Sequence, residues 1–81
     1  MKIEILGTGC TKCNMLEAAT KAAAEQLGVP YELEHVKDLR RIAGYGVMIT
    51  PALVIDGQVK VMGKVPSAAE LTTLLTSALP K

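Results

Sequence analysis

Hydrophobic residues along this chain follow a period of two in some segments and a helical period in others. Lys2 to Leu6 is a short apolar-rich run that stops at Gly7-Thr8-Gly9, which predicts a first strand followed by a flexible loop. From Cys13 to Leu27 apolar residues recur at helical spacing, and Gly28 is placed to end that helix as a left-handed cap. The chain is therefore predicted to open with a strand and a long helix.

A second strand and a shorter helix are predicted next. The segment from Tyr31 to His35 alternates in a period of two, with its two glutamates on one face. Asp38 is placed to cap a short helix, which Gly44 and Gly46 would end. The apolar residues that this helix offers to a core are Leu39, Ile42 and Ala43.

The last part of the chain predicts a hairpin and a closing helix. Ala52 to Ile55 and Val59 to Met62 are β-rich runs joined at Asp56-Gly57, a pair that favours a tight antiparallel turn. Ser67 and Glu70 match a capping box. The apolar face of the closing helix is formed by Leu71, Leu74, Leu75 and Leu79. The predicted order of elements is βαβαββα.

Length and composition limit the chain to one small domain, residues 1–81, with an aliphatic core. It has 81 residues, two Tyr, no Phe and no Trp, and a net charge of +1. So balanced a charge gives no strong field, and we expect neither nucleic acid nor a membrane as a partner. Because the chain has no signal-peptide pattern and no apolar run of about 20 residues, we expect a cytoplasmic protein. We also expect a monomer.

The two cysteines, Cys10 and Cys13, are separated by Thr11 and Lys12. A disulfide between them would close almost no loop and gain little chain entropy, so their spacing indicates chemistry and not a structural bridge. Backbone N–H groups at a helix start stabilise a thiolate, which makes Cys10 the predicted nucleophile, and the charge of Lys12 would favour that thiolate further. Cys13, one turn along, would resolve a mixed disulfide formed at Cys10. The alternative is a pair of ordinary small buried residues.

Four short motifs are informative together: Gly7-Thr8-Gly9-Cys10, Thr50-Pro51-Ala52-Leu53, Asp56-Gly57 and Met62-Gly63-Lys64-Val65. With them the chain resembles the thioredoxin superfamily, that is, thioredoxins and glutaredoxins. The resemblance is closest to the very small thioredoxin-like proteins of prokaryotes known as redox-active disulfide proteins. The resemblance implies an α/β thioredoxin-like fold with a four-stranded mixed central sheet flanked by helices. It also implies a cis Pro51 that faces the dithiol, with the backbone of Thr50 presented to an extended substrate.

The resemblance carries further expectations about individual residues. Glu4 stands where typical thioredoxins have a buried aspartate, which implies a carboxyl buried under a helix, with a raised pKa, that exchanges a proton with Cys13. A solvated carboxylate on an open face is the alternative. Gly9 replaces the tryptophan of typical thioredoxins, and the glutathione-binding turn of glutaredoxins is incomplete after Gly63, so we expect no dependence on glutathione.

These patterns predict a thiol–disulfide oxidoreductase or electron carrier with protein-disulfide reductase activity. The substrates would be protein or small disulfides, and the resemblance suggests a flavin-dependent donor of the thioredoxin-reductase type. No bound cofactor and no metal are expected, because the dithiol carries both electrons. Two alternatives stay open: a soft-metal chaperone, whose domains run βαββαβ, and a redox sensor without catalysis.

Three other features suggest no role in the chemistry. His35 is the only histidine and is distant from the dithiol in sequence. Tyr45 is predicted to fill the core, and the basic residues Lys37, Arg40 and Arg41 are predicted to form a solvated helix face.

Overall fold

A computed structural model describes residues 1–8 and 11–78 of the chain, which form seven elements. They are β1 (Lys2–Leu6), α1 (Thr11–Leu27), β2 (Glu32–Val36), α2 (Leu39–Gly44), β3 (Ala52–Ile55), β4 (Gln58–Met62) and α3 (Ala68–Ser77). The predicted order βαβαββα is confirmed. Gly9, Cys10 and Leu79, on which parts of the prediction fell, lie outside the described residues.

The four strands form one mixed sheet in the order β2-β1-β3-β4. β1 is parallel to β2 and antiparallel to β3, and β3 is antiparallel to β4, which confirms the sheet that the resemblance implied. Asp56 and Gly57 join β3 to β4 with φ angles of 49° and 83°, the left-handed backbone that a two-residue hairpin of type I′ requires. The turn is also tied to β1, because the Asp56 side chain accepts a hydrogen bond of 2.8 Å from the backbone N–H of Lys2.

The two faces of the sheet carry different layers, because side chains of a strand alternate between its faces. Ile3 and Ile5 of β1 belong to the larger core cluster, to which α1 and α3 contribute Leu16, Ala23, Ala24, Leu71 and Leu75. On the other face, Leu6 of β1 packs with a smaller cluster that contains Ile42 of α2. One face is therefore covered by two helices and the other by one short helix.

The helix caps that the sequence predicts are present. Asp38 Oδ1 accepts a hydrogen bond of 2.8 Å from the backbone N–H of Arg40 at the start of α2. Ser67 Oγ accepts one of 3.2 Å from the backbone N–H of Glu70 at the start of α3. These contacts satisfy backbone donors that the first turn of a helix otherwise leaves unpaired.

The predicted bounds and core differ from the structure in several places. α1 begins at Thr11, before Cys13, β2 is Glu32–Val36, and β4 begins at Gln58. Leu39 and Ala43 were both predicted to face the core, but Leu39 is 67% exposed and Ala43 is exposed as well, whereas Ile42 is buried. A six-residue helix has fewer than two turns, so α2 brings a single large apolar side chain into the cluster beneath it.

None of the helices within the described residues is long and apolar enough to span a membrane.

Ser67→Ala removes the cap of α3 and should lower the free energy of unfolding by about 1 kcal/mol. Urea denaturation followed by circular dichroism would measure the change. Ser77→Ala, at the exposed C-terminal end of the same helix, is the matched control and should leave the midpoint near that of the unmodified protein. Equal effects of the two changes would contradict the capping role.

Candidate active site

Cys13 lies in the first turn of α1 and packs against the backbone of Gly7, just after β1. Its side chain is fully buried. A Cβ atom added to Gly7 would collide with Cys13 Sγ and would lie 3.8 Å from Thr50 Cβ. Gly7 thus lies close to both Cys13 and Thr50, two residues that are far apart in sequence. The sequence suggested a flexible loop at this glycine, but the structure assigns it a packing role, because no side chain fits there.

The residues before β3 form the second part of the site. The peptide bond between Thr50 and Pro51 is cis, the isomer that the resemblance implied, and Pro51 is buried while Thr50 is exposed. The backbone oxygen of Pro51 accepts a hydrogen bond of 2.7 Å from the N–H of Gly63. This bond holds the start of β3 against the end of β4.

Exposed apolar side chains adjoin Thr50 and Pro51. Met48 is 93% exposed and Ile49 is 60% exposed, directly before Thr50 in the chain. Met62 of β4, the register partner of Ala52, is also exposed. Large apolar side chains grouped at the surface are typical of a surface that contacts another molecule.

Glu4 is buried, as the resemblance implied, and it lies on the α2 side of the sheet. Its side chain is only 4% exposed. Tyr45 Oη donates a hydrogen bond of 2.6 Å to Glu4 Oε1, and Arg41 Nη2 donates one of 3.2 Å to Glu4 Oε2. Both carboxylate oxygens therefore have donors from α2 and from the residue that follows it.

Arg41 also contacts Glu34 of β2, at 2.7 Å through Nη1 and 3.1 Å through Nη2. This hydrogen-bonded guanidinium lowers the pKa of the Glu34 carboxyl, and Glu34 in turn raises the pKa of Arg41. The pKa of Tyr45 is raised, first because its hydroxyl donates to Glu4 and then because of burial. Ionisation of Tyr45 would remove that hydrogen bond and place a second negative charge beside the carboxylate.

Sequence reasoning missed the roles of Tyr45 and Arg41. The aromatic ring of Tyr45 does pack against the smaller core cluster, as predicted, but its hydroxyl has a carboxylate partner as well. Arg41 is more than part of a solvated helix face, because it pairs with two strands. Their spacing of four residues was a usable signal, since it puts both side chains on one side of a helix.

The other predicted site residues are less connected in the described part of the chain. Lys12 is exposed in the first turn of α1, and Cys10 lies outside the described residues. His35 Nδ1 is 3.7 Å from Glu17 Oε1, and its buried Nε2 has no hydrogen-bond partner within the described residues. The same residues contain no group of three or more His, Cys, Asp or Glu side chains that could hold a metal ion.

Comparison with known proteins agrees with this geometry. Residues 1–76 match the thioredoxin domain family. The chain belongs to that family. It is 41% identical over 76 residues to a thioredoxin of Methanothermobacter thermautotrophicus, with 94% of this chain and 99% of the relative covered. It is 40% identical over 77 residues to a thioredoxin of Methanocaldococcus jannaschii, with 95% and 88% covered. Membership of the thioredoxin family supports a role in thiol–disulfide oxidoreduction.

Gly7→Ala should lower the free energy of unfolding by about 1 to 3 kcal/mol, because the added methyl group overlaps Cys13 Sγ and the site must shift. Urea denaturation of the reduced protein would measure the loss. Gly44→Ala is the matched control, since a Cβ there meets no atom within 4 Å and alanine favours a helix. A destabilisation at residue 44 as large as that at residue 7 would contradict the packing argument.

Both tyrosines should ionise above the usual pKa of about 10. The pKa of Tyr31 is raised by burial and by its hydrogen bond to Glu25, and that of Tyr45 by its bond to Glu4. A raised pKa in the folded state means that each hydroxyl stabilises the fold below pH 10 and that this contribution is lost at higher pH. Tyrosinate absorbance of Tyr31→Phe and Tyr45→Phe would assign the two titrations. An ordinary pKa for the tyrosine left in Tyr31→Phe would argue against the bond to Glu4.

Proposed function

We propose that this protein is a protein-disulfide reductase that carries electrons on the Cys10 and Cys13 dithiol. The observation that carries the proposal is the packing of Cys13 against Gly7, a glycine whose Cβ position also lies close to Thr50. This arrangement places the buried member of a Cys-x-x-Cys pair beside a cis-proline turn. Membership of the thioredoxin family supports the same chemistry.

Cys10 is the attacking residue in this mechanism. It immediately precedes Thr11, the first residue of α1, and the free N–H groups and positive end of a helix favour a thiolate. The exposed ammonium group of Lys12 adds positive charge nearby, weakened by water. The Cys10 thiolate attacks one sulfur of the substrate disulfide, a mixed disulfide forms, and the other substrate sulfur leaves as a thiolate that takes up a proton.

Cys13 resolves the mixed disulfide. Its thiol loses a proton, and its sulfur attacks the sulfur of Cys10, so that the bond between Cys10 and the substrate breaks. The second substrate sulfur leaves reduced, and the two electrons given to the substrate leave a Cys10–Cys13 disulfide behind. Burial of Cys13 supports this order of steps, because a fully buried sulfur cannot attack a disulfide of an external protein directly.

Thr50 and Pro51 are the proposed contacts for the substrate backbone. Thr50 is exposed beside the packing contact at Gly7, and a peptide laid along it would pass close to the site. The exposed side chains of Met48, Ile49 and Met62 give this region an apolar surface that suits a protein substrate. A flavin-dependent reductase would regenerate the dithiol from the disulfide, and the protein itself would need no bound cofactor.

The soft-metal chaperone is the weaker alternative. Domains of that class run βαββαβ and end in a strand, whereas this chain has α2 between β2 and β3 and has α3 after its last strand. A redox sensor would share the fold and the dithiol, so turnover is the property that separates it from a reductase.

Cys13→Ser should accumulate a mixed disulfide through Cys10, because the resolving thiol is gone, whereas Cys10→Ser should lose reduction of insulin disulfides altogether. Turbidity with dithiothreitol as the electron source would follow turnover, and mass spectrometry would detect the trapped species. Ser77→Ala should keep full activity. A dithiol that binds Cu(I) tightly and gives no turnover would favour the metal chaperone, and oxidation that changes partner affinity without turnover would favour the sensor.

A further inference from the structure

We infer that Glu4 anchors the loop leading to Thr50 and Pro51, with Tyr45 as its partner, and that it does not serve as a proton donor to Cys13. The inference rests on the proposed function only for the role of that loop in binding substrate. Tyr45 and Arg41 are positioning residues. Tyr45 connects the loop to Glu4, and Arg41 holds the Glu4 carboxylate in place.

The position of Glu4 in β1 separates its carboxylate from the helix that carries Cys13. Ile3 and Ile5, the neighbours of Glu4 in β1, point into the core cluster that includes α1. Glu4 points the other way and contacts the α2 side, as does its register partner Val54 in β3. The carboxylate and α1 therefore lie on opposite faces of the sheet.

Arg41 is needed here because two acidic residues are paired in register. Glu4 of β1 lies beside Glu34 of β2, and like charges side by side destabilise a sheet. The Arg41 guanidinium contacts both carboxylates, at 3.2 Å and 2.7 Å for the closest atoms. It offsets part of the repulsion between these carboxylates and donates to Oε2 of Glu4, which leaves Oε1 to Tyr45.

Tyr45 connects Glu4 to the loop, because its hydroxyl bonds to the carboxylate and its backbone leads directly into residues 46–50. It caps the C-terminal end of α2, and Val47, two residues later, is buried in the same cluster. The chain then exposes Met48 and Ile49 before it reaches Thr50. The far end of the loop is fixed separately, by the bond between Pro51 and Gly63. The bond from Tyr45 to Glu4 and the packing of Val47 thus hold the near end.

Hydrogen exchange of the backbone amides of residues 45 and 46, which donate to the backbone oxygens of Ile42 at 3.1 Å and Ala43 at 2.9 Å, tests the anchor directly. Tyr45→Phe keeps the ring in its cluster and removes only the hydroxyl, so these amides should exchange about tenfold faster, in line with the loss of one hydrogen bond to a charged group. Tyr31→Phe is the matched control, because it removes a tyrosine bond to Glu25 at 3.2 Å that is remote from the loop, and it should leave these amides unchanged. Unchanged exchange in Tyr45→Phe would overturn the inference.

Glu4→Gln separates an anchor from a proton donor and supplies a second variant if Tyr45→Phe does not fold. Glutamine still offers an oxygen to Tyr45, so loop exchange should stay within about threefold of the unmodified protein. The pH dependence of cysteine alkylation by iodoacetamide should also be unchanged, because the anchor does not act on the thiols. A shifted alkylation profile would show that Glu4 acts on the thiols and would overturn the inference.

Insulin reduction completes the test. Tyr45→Phe should raise KM several-fold and change kcat by less than twofold, because a displaced loop weakens substrate binding and leaves the dithiol intact. An equal loss in kcat with unchanged KM would contradict a positioning role. If every form of the protein, the unmodified one included, lacks reductase activity, the proposed function fails, and the hydrogen-exchange result alone still decides whether Glu4 anchors the loop.

Discussion

The close approach of Cys13 to the backbone of Gly7 is the contact on which the arrangement of the site depends. It joins the first turn of α1 to the end of β1, and the same glycine adjoins Thr50 of the loop before β3. Any side chain at this position would push these three segments apart. A protein interior is packed too densely to absorb such a displacement locally. Because residue 7 has no Cβ atom, the buried Cys13 can lie close to the cis-proline turn.

β1 is central to the structure because its two faces pack against different layers. One face, through Ile3 and Ile5, supports the helix that carries Cys13. The other face buries Glu4, whose carboxylate ties α2 and Tyr45 to the sheet. A buried carboxylate is costly without partners, and here two donors compensate for its removal from water. The helix that carries Cys13 and the loop that leads to Thr50 are thus both attached to the same central strand, from opposite sides.

Thiol–disulfide exchange needs one sulfur that a partner protein reaches and one that it does not. The burial of Cys13 and the exposed side chains of Met48, Ile49 and Met62 fit this division of tasks. Met48 and Ile49 directly precede Thr50 in the chain, so exposed apolar side chains adjoin that residue. Family membership and local geometry therefore support the same chemistry.

Sequence alone determined the elements and their order, because caps, glycine stops and the Asp56-Gly57 turn act over a few residues. It also predicted roles for Cys13, Thr50 and Pro51, through spacing and through the resemblance of short motifs. The tertiary structure decided the rest. The sequence predicted a flexible loop at Gly7, whereas the structure packs Cys13 against this glycine. The sequence predicted that Tyr45 fills the core, and the structure adds a hydrogen bond of 2.6 Å from its hydroxyl to Glu4. Such contacts join residues far apart in the chain, and only the packing of the sheet against its helices brings them together.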